Sequence, residues 1–152
     1  MVILKPIDIF RDVRCAAGKV AGKLNLSNGV LIAEQGARFL QIWRDLWSTY
    51  GGTSWNSHSV LLLTSLAKRH PDLITVLGPV FIKFGPAKSD QHRMYEENCS
   101  LWKSFAAHLY KREIPQNADF HFVKTVNTTF GRIARFVLFG DSRICPAAEN
   151  VF

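Results

Sequence analysis

The chain has 152 residues, enough for one domain that buries roughly two-thirds of its unfolded surface without disulfide or metal staples. With 47% hydrophobic residues and a mean hydropathy of +0.02, the composition excludes a disordered polyelectrolyte. A net charge of +7 points to polyanionic partners: nucleic acid, anionic lipid or an acidic protein.

In chain order, Pro6–Arg14 mixes extended-favouring Ile7, Ile9 and Val13 with polar residues. From Lys19 an alternation follows, with Val20, Gly22, Leu24 and Leu26 on one face and Lys19 and Lys23 on the other. This pattern predicts a half-buried strand. Asn28-Gly29 predicts a hairpin turn, with Val30–Ala33 as the returning strand. The strand and hairpin region spans residues 7–33.

A helix pair is expected over 37–70. Phe39, Trp43, Leu46, Trp47 and Tyr50 share one helical face, and Gly51-Gly52 ends the first helix. Ser57 is placed to cap the second by accepting a hydrogen bond. The second helix carries Val60, Leu61, Leu62, Leu63, Leu66 and Ala67 and stops at Pro71. Gly78-Pro79 reads as a turn before a strand at 80–84. The polar run Ala87–Arg93 reads as an exposed loop. Tyr95, Asn98, Leu101, Trp102, Phe105 and Leu109 predict a helix over 94–112, with strands as the rival reading. Phe120 and Phe122 alternating with His121 and Val123 predict a strand over 119–126. A last helix spans 129–139, with Thr128 or Thr129 as N-cap and Gly140 as C-cap. Residues 146–152 read as a loose tail. The expected fold is α+β: a single compact domain, 1–152, with an antiparallel sheet of short strands packed against three to four helices.

The charge is loaded at the ends. Residues 1–33 carry +3, residues 34–102 carry +1 and residues 103–143 carry +4, with Glu149 completing the sum. If the ends meet, Lys19, Lys23, Lys124, Arg132 and Arg135 form one polyanion-binding face. Phe136 and Phe139 fall off the apolar stripe of the last helix, which is Phe130, Ile133, Ala134, Val137 and Leu138, and become candidates for protein or membrane contact. No apolar run exceeds four residues, Val60–Leu63 among them, so no membrane span is expected. No signal-type segment opens the chain, and Cys15, Cys99 and Cys145 are too sparse for a disulfide framework. An intracellular setting is expected: host cytoplasm, or virion interior if the protein is viral.

Chemistry-bearing patterns are incomplete. His58, His70, His92, His108 and His121 show no metal-ligand spacing, so neither metal nor cofactor is expected. Gly140-Asp141-Ser142 lacks the preceding strand and downstream His of a nucleophile block; a helix cap and turn explain it. A hydrolase built on Asp90, His92 and Glu96 is the least favoured reading. The Asn-x-Ser/Thr triplets at Asn25, Asn98 and Asn127 matter only in a secreted chain.

The order of elements carries one resemblance. A basic strand and hairpin precede a Trp-bearing helix, then the apolar helix SHSVLLLTSLAKRHP, β-type segments, and the terminal helix NTTFGRIARFVLFG. This order resembles that of rhabdovirus matrix proteins, most closely over Phe122–Gly140. A Lys-rich arm and budding motifs are missing. The resemblance implies a small, basic, self-associating structural protein that bridges nucleoprotein and membrane. The expected function is therefore non-enzymatic: binding of anionic lipid or of nucleic acid by a homo-oligomer, with no small-molecule substrate. The alternative is an RNA-contacting subunit of a larger nucleoprotein or organellar assembly.

Overall fold

A computed structural model describes residues 1–20, 24–52, 54, 56–83, 87–100, 104–109 and 118–144. The fold is α+β. It divides into two compact units. The first comprises Met1, Ile3–Lys83 and Lys103–His108; the second comprises Val2, Phe84–Trp102 and Leu109–Phe152.

The first unit is built on a five-stranded sheet, of which only Val2 is counted with the second. Its strands are β1 (Val2–Ile3), β2 (Cys15–Val20), β3 (Leu26–Ala33), β4 (Thr75–Lys83) and β5 (Ala106–Ala107), in spatial order β1-β5-β4-β2-β3. β2 pairs antiparallel with β3 but parallel with β4, and β4 is parallel to β5. The sheet is therefore mixed where an antiparallel one was expected. β2 lies between two strands, and Cys15–Gly18 are buried on both faces, as a central strand requires.

Two turn signals are overridden. Asn28-Gly29 lies inside β3, not at a hairpin turn. From Ala17 to Lys19, a step of two in β2, the partner strand advances five residues, from Leu31 to Leu26. The excess residues, Asn28-Gly29 included, are taken up as an irregularity of the ladder. A Cβ at Gly29 would lie 2.7 Å from Met1 Cε and 2.9 Å from His108 Cδ2, so this glycine permits a close approach. Gly78-Pro79 likewise lies inside β4, where Gly18 to Val20 matches Leu77 to Ile82. A proline is tolerated in a strand at such a bulge because no ladder donor is needed there.

The helix pair is present. α1 (Arg38–Asp45) follows Gly36, whose φ is +75°, and continues as a 3-10 turn at Leu46–Thr49. A π-helical turn at Ser57–Leu61 leads into α2 (Leu62–Arg69), which ends before Pro71. Phe39, Leu63, Leu66 and Ala67 pack with Cys15, Ala17, Leu26 and Ile74 as the core, with Trp43 and Leu46 partly buried against it. Ser57 does not cap: its hydroxyl donates to the Ser54 carbonyl at 2.9 Å. Thr64 supplies the link to the sheet, accepting Leu26 N–H at 3.0 Å and donating to Val60 O at 2.7 Å.

The second unit holds α3 (Lys88–Tyr95), α4 (Phe120–Thr125) and α5 (Thr129–Phe139). The polar run expected to be a loop is α3, because Gln91, Met94 and Tyr95 give it a buried face at i, i+3 and i+4. The expected helix over 94–112 is not formed among the described residues: α3 ends at Tyr95, and Ala106–Ala107 is β5. The expected strand at 119–126 is α4, capped by Asp119, whose carboxylate accepts Phe122 N–H at 2.7 Å. α5 has its expected bounds and caps: Thr128 accepts Gly131 N–H at 3.2 Å, and Gly140 closes it with φ +72°. The tail, 146–152, lies outside the described residues. Among those residues, no helix is long and apolar enough to cross a membrane.

Candidate functional site

The five cations and two phenylalanines of the expected contact surface separate into different environments. Lys19 is exposed on β2 in the first unit. Lys23 lies outside the described residues. Lys124 is exposed in the last turn of α4, and Arg132 is half-buried on α5. Arg132 Nη1 is 3.1 Å from Asn98 Oδ1 and 3.4 Å from the Cys99 carbonyl. Its guanidinium thus joins the polar junction between the end of α3 and the start of α5.

Arg135 is a correction. It was expected on the solvent face but is 0% exposed. Its Nη1 donates to Val123 O at 2.7 Å and to Val126 O at 2.8 Å, and its Nε donates to Ser142 O at 3.1 Å. The first two acceptors are carbonyls at the C-terminal end of α4, which have no partners within that helix. They also carry the negative end of its dipole, which favours a cation. Arg135 therefore staples α4 to α5 and cannot reach a polyanion.

Thr129, also fully buried, fixes the other end. Its N–H donates to Glu97 O at 2.7 Å, and its Oγ1 accepts Cys99 N–H at 2.8 Å. The hydroxyl proton is offered to Glu97 O at 2.8 Å and Arg93 O at 3.2 Å. Asn98 and Asn127, both in Asn-x-Ser/Thr triplets, bond each other through Nδ2 and Oδ1 at 2.7 Å. In this structure they serve the junction of α3 and α5.

Beyond Arg135 the helix changes character. Phe136, Val137, Leu138 and Phe139 are 42–59% exposed, and Ile144 is 46% exposed. Successive helical residues are about 100° apart, so four in a row surround the helix end on all sides. Phe136 and Phe139 are exposed as expected. Val137 and Leu138, assigned by sequence to the buried stripe, are exposed as well. The signal was available: four consecutive apolar residues cannot all face one core.

Asp141 and Arg143 follow. Arg143 Nε donates to Asp141 Oδ2 at 2.7 Å, with a second bond from Nη2 to the same oxygen. These bonds hold the Asp141 carboxyl down at about 2 and push the Arg143 guanidinium upward. The pair is neutral as a unit, so Arg143 adds little free positive charge. Among the described residues of α4, α5 and the turn after them, Lys124 and Arg132 remain as cations besides that pair and the buried Arg135.

Elsewhere, Glu97 lies 3.8 Å from His92 Nε2 and 3.4 Å from Cys99 Sγ. Among the described residues, no group of three or more His, Cys, Asp or Glu is arranged to hold a metal ion. Burial pushes the Cys15 thiol up, which disfavours the reactive thiolate. Burial, with the N-terminal ammonium, pushes His108 down.

Comparison of the chain with protein-family models, with curated proteins and with solved structures finds no match.

Proposed function

We propose that this protein is a non-enzymatic structural protein, of the kind the matrix resemblance implies, and that it binds an anionic membrane surface through the end of α5. The observation that carries this reading is the ring of exposed apolar side chains at Phe136–Phe139, with Ile144 beyond the cap. A flat protein partner covers one side of a helix. A lipid interface surrounds whatever enters it, which suits a tip that is apolar on every side. Lys124 and Arg132 supply positive charge in the same unit, and Asp141, the acid nearest in sequence to the apolar run, is neutralised by Arg143. Phenylalanine at a headgroup boundary with cations behind it is the pattern of a peripheral membrane contact.

The test is co-sedimentation with vesicles of mixed phosphatidylserine and phosphatidylcholine, against phosphatidylcholine alone, across a salt series. Wild type should bind the anionic vesicles. Each phenylalanine transferred from water contributes about 1.5–3 kcal/mol at full burial. Phe136→Ser with Phe139→Ser should therefore weaken binding by tenfold or more, on the order of 1.4 kcal/mol or above. Lys124→Glu should weaken it further at low salt. Absence of binding to anionic vesicles at low salt sinks the reading. Retention of single-stranded RNA in a gel shift, without vesicle binding, would favour the nucleoprotein alternative.

A further inference from the structure

How far the end of α5 can enter a lipid surface follows from two features of the helix. The first is where its exposure begins. Every residue from Thr129 to Arg135 is buried or half-buried, and every residue from Phe136 to Phe139 is exposed. A helix that lies along an interface offers one apolar face over its whole length. α5 cannot do so, because its first part is held inside the unit. Only its last turn is on offer, and that turn is apolar on every side.

The second feature is where the chain goes next. A Cβ at Gly131 would lie 3.0 Å from Arg135 Nη1. The guanidinium therefore points back along α5, the ordinary direction of a long helical side chain. Its Nε donates to the Ser142 carbonyl at 3.1 Å. Ser142 thus lies back beside the Arg135 side chain, not beyond Phe139. The reversal starts at Gly140, whose φ of +72° ends the helix. Asp141 and Arg143, paired with each other, flank Ser142. The apolar turn projects past this polar return. At about 1.5 Å per residue, its four residues reach roughly 6 Å beyond Arg135. That matches the headgroup and upper acyl zone of a bilayer, about 5–10 Å deep.

We propose that the end of α5 is a shallow, end-on wedge, and that the lipid surface it takes is a strongly curved or loosely packed one. This rests on the membrane reading and narrows it. A helix with its side chains is about 10–12 Å across. Inserted by one turn, it spreads the headgroup level of one leaflet and leaves the chain ends beneath in place. In a flat, tightly packed leaflet that gap must be opened against lipid cohesion. On a convex surface the headgroups already stand apart. Interfacial apolar contacts are curvature-sensitive for this reason. Charge carries no such preference: the attraction of exposed Lys124 follows the anionic lipid content.

Vesicles of one phosphatidylserine and phosphatidylcholine mixture, made small by sonication and large by extrusion, test it with the full chain. At equal accessible lipid, wild type should bind the small vesicles about fivefold tighter or more, roughly 1 kcal/mol. Lys124→Glu should weaken binding to both sizes by similar factors and keep their ratio. Equal affinity for the two sizes overturns the proposal and leaves the membrane reading standing. A ratio that collapses in Lys124→Glu assigns the preference to charge and overturns it too. Binding to neither size sinks both. Depth is read in Phe139→Trp, from the emission gained over the wild-type tryptophans. Lipids brominated near the glycerol should quench it more than lipids brominated near the chain ends. Stronger quenching from the chain ends overturns the shallow wedge.

Discussion

The two halves of α5 invert the usual distribution of polarity. From Thr129 to Arg135 the buried side chains include a threonine and an arginine, both fully enclosed; from Phe136 to Phe139 every residue is apolar and exposed. The difference separates holding from offering. The first half closes hydrogen bonds left open by other helices: Thr129 serves the end of α3, and Arg135 serves the end of α4. The second half, apolar throughout, makes no comparable side-chain hydrogen bond. Side chains that cost solubility without helping the fold point to an external contact.

The strongest challenge to this contrast is Arg135→Met. It keeps the aliphatic stem but removes the donors to Val123 O, Val126 O and Ser142 O. Leaving buried carbonyls unsatisfied costs about 1–3 kcal/mol each, so the loss should reach about 3 kcal/mol or more. Urea unfolding followed by far-UV circular dichroism measures it. A loss below about 1 kcal/mol would return Arg135 to the ordinary surface cations and dissolve the distinction between the halves.

Gly131→Ala probes the same half with a smaller effect. A Cβ there would lie 2.5 Å from both Val126 Cγ1 and the Val126 carbonyl, and 3.0 Å from Arg135 Nη1. Because one neighbour is backbone, relief requires α4 and α5 to move apart. Alanine normally favours a helix over glycine by about 1 kcal/mol. Here overpacking, about 1–3 kcal/mol, should outweigh that gain and lower the melting temperature. A raised melting temperature would mean that the junction is looser than these distances imply.

Sequence patterns disclosed α5 and the helix pair because their signals are local: Thr128, Gly140 and Pro71 act within one turn of the helices they bound. They failed where six residues had to decide. Phe120–Thr125 fits a strand or a helix equally by alternation, and only Asp119, a capping side chain three residues before its partner N–H, spoke for the helix. Asn28-Gly29 is a strong turn signal, yet the antiparallel pairing with β2 carries the strand through it. Arg135 was misplaced because a guanidinium was assumed to seek water. It lies four residues from Gly131, on a side with no bulky chain, and the carbonyls it meets belong to a segment read as a strand. The exposure of Trp47 and Tyr50 was hidden for the opposite reason: both continue the apolar stripe of α1 in sequence, but they lie beyond its end at Asp45, where the core is packed only as far as Leu46.

The smallest expected effect carries the contrast most directly. Phe136→Ser with Phe139→Ser removes two large apolar groups from the second half of α5. If they took part in the core, the pair would cost several kcal/mol, as Phe→Ala substitutions there do at about 3–5 kcal/mol each. Both side chains are more than two-fifths exposed, and the cap at Gly140 uses the backbone N–H, which donates to Phe136 O at 3.0 Å. Serine keeps that bond. Its somewhat lower helix propensity affects only the last turn. The double variant should therefore unfold within about 1 kcal/mol of wild type while losing most of its affinity for anionic vesicles. A large drop in stability would make these residues part of the fold, and any loss of membrane binding would then report unfolding instead of contact.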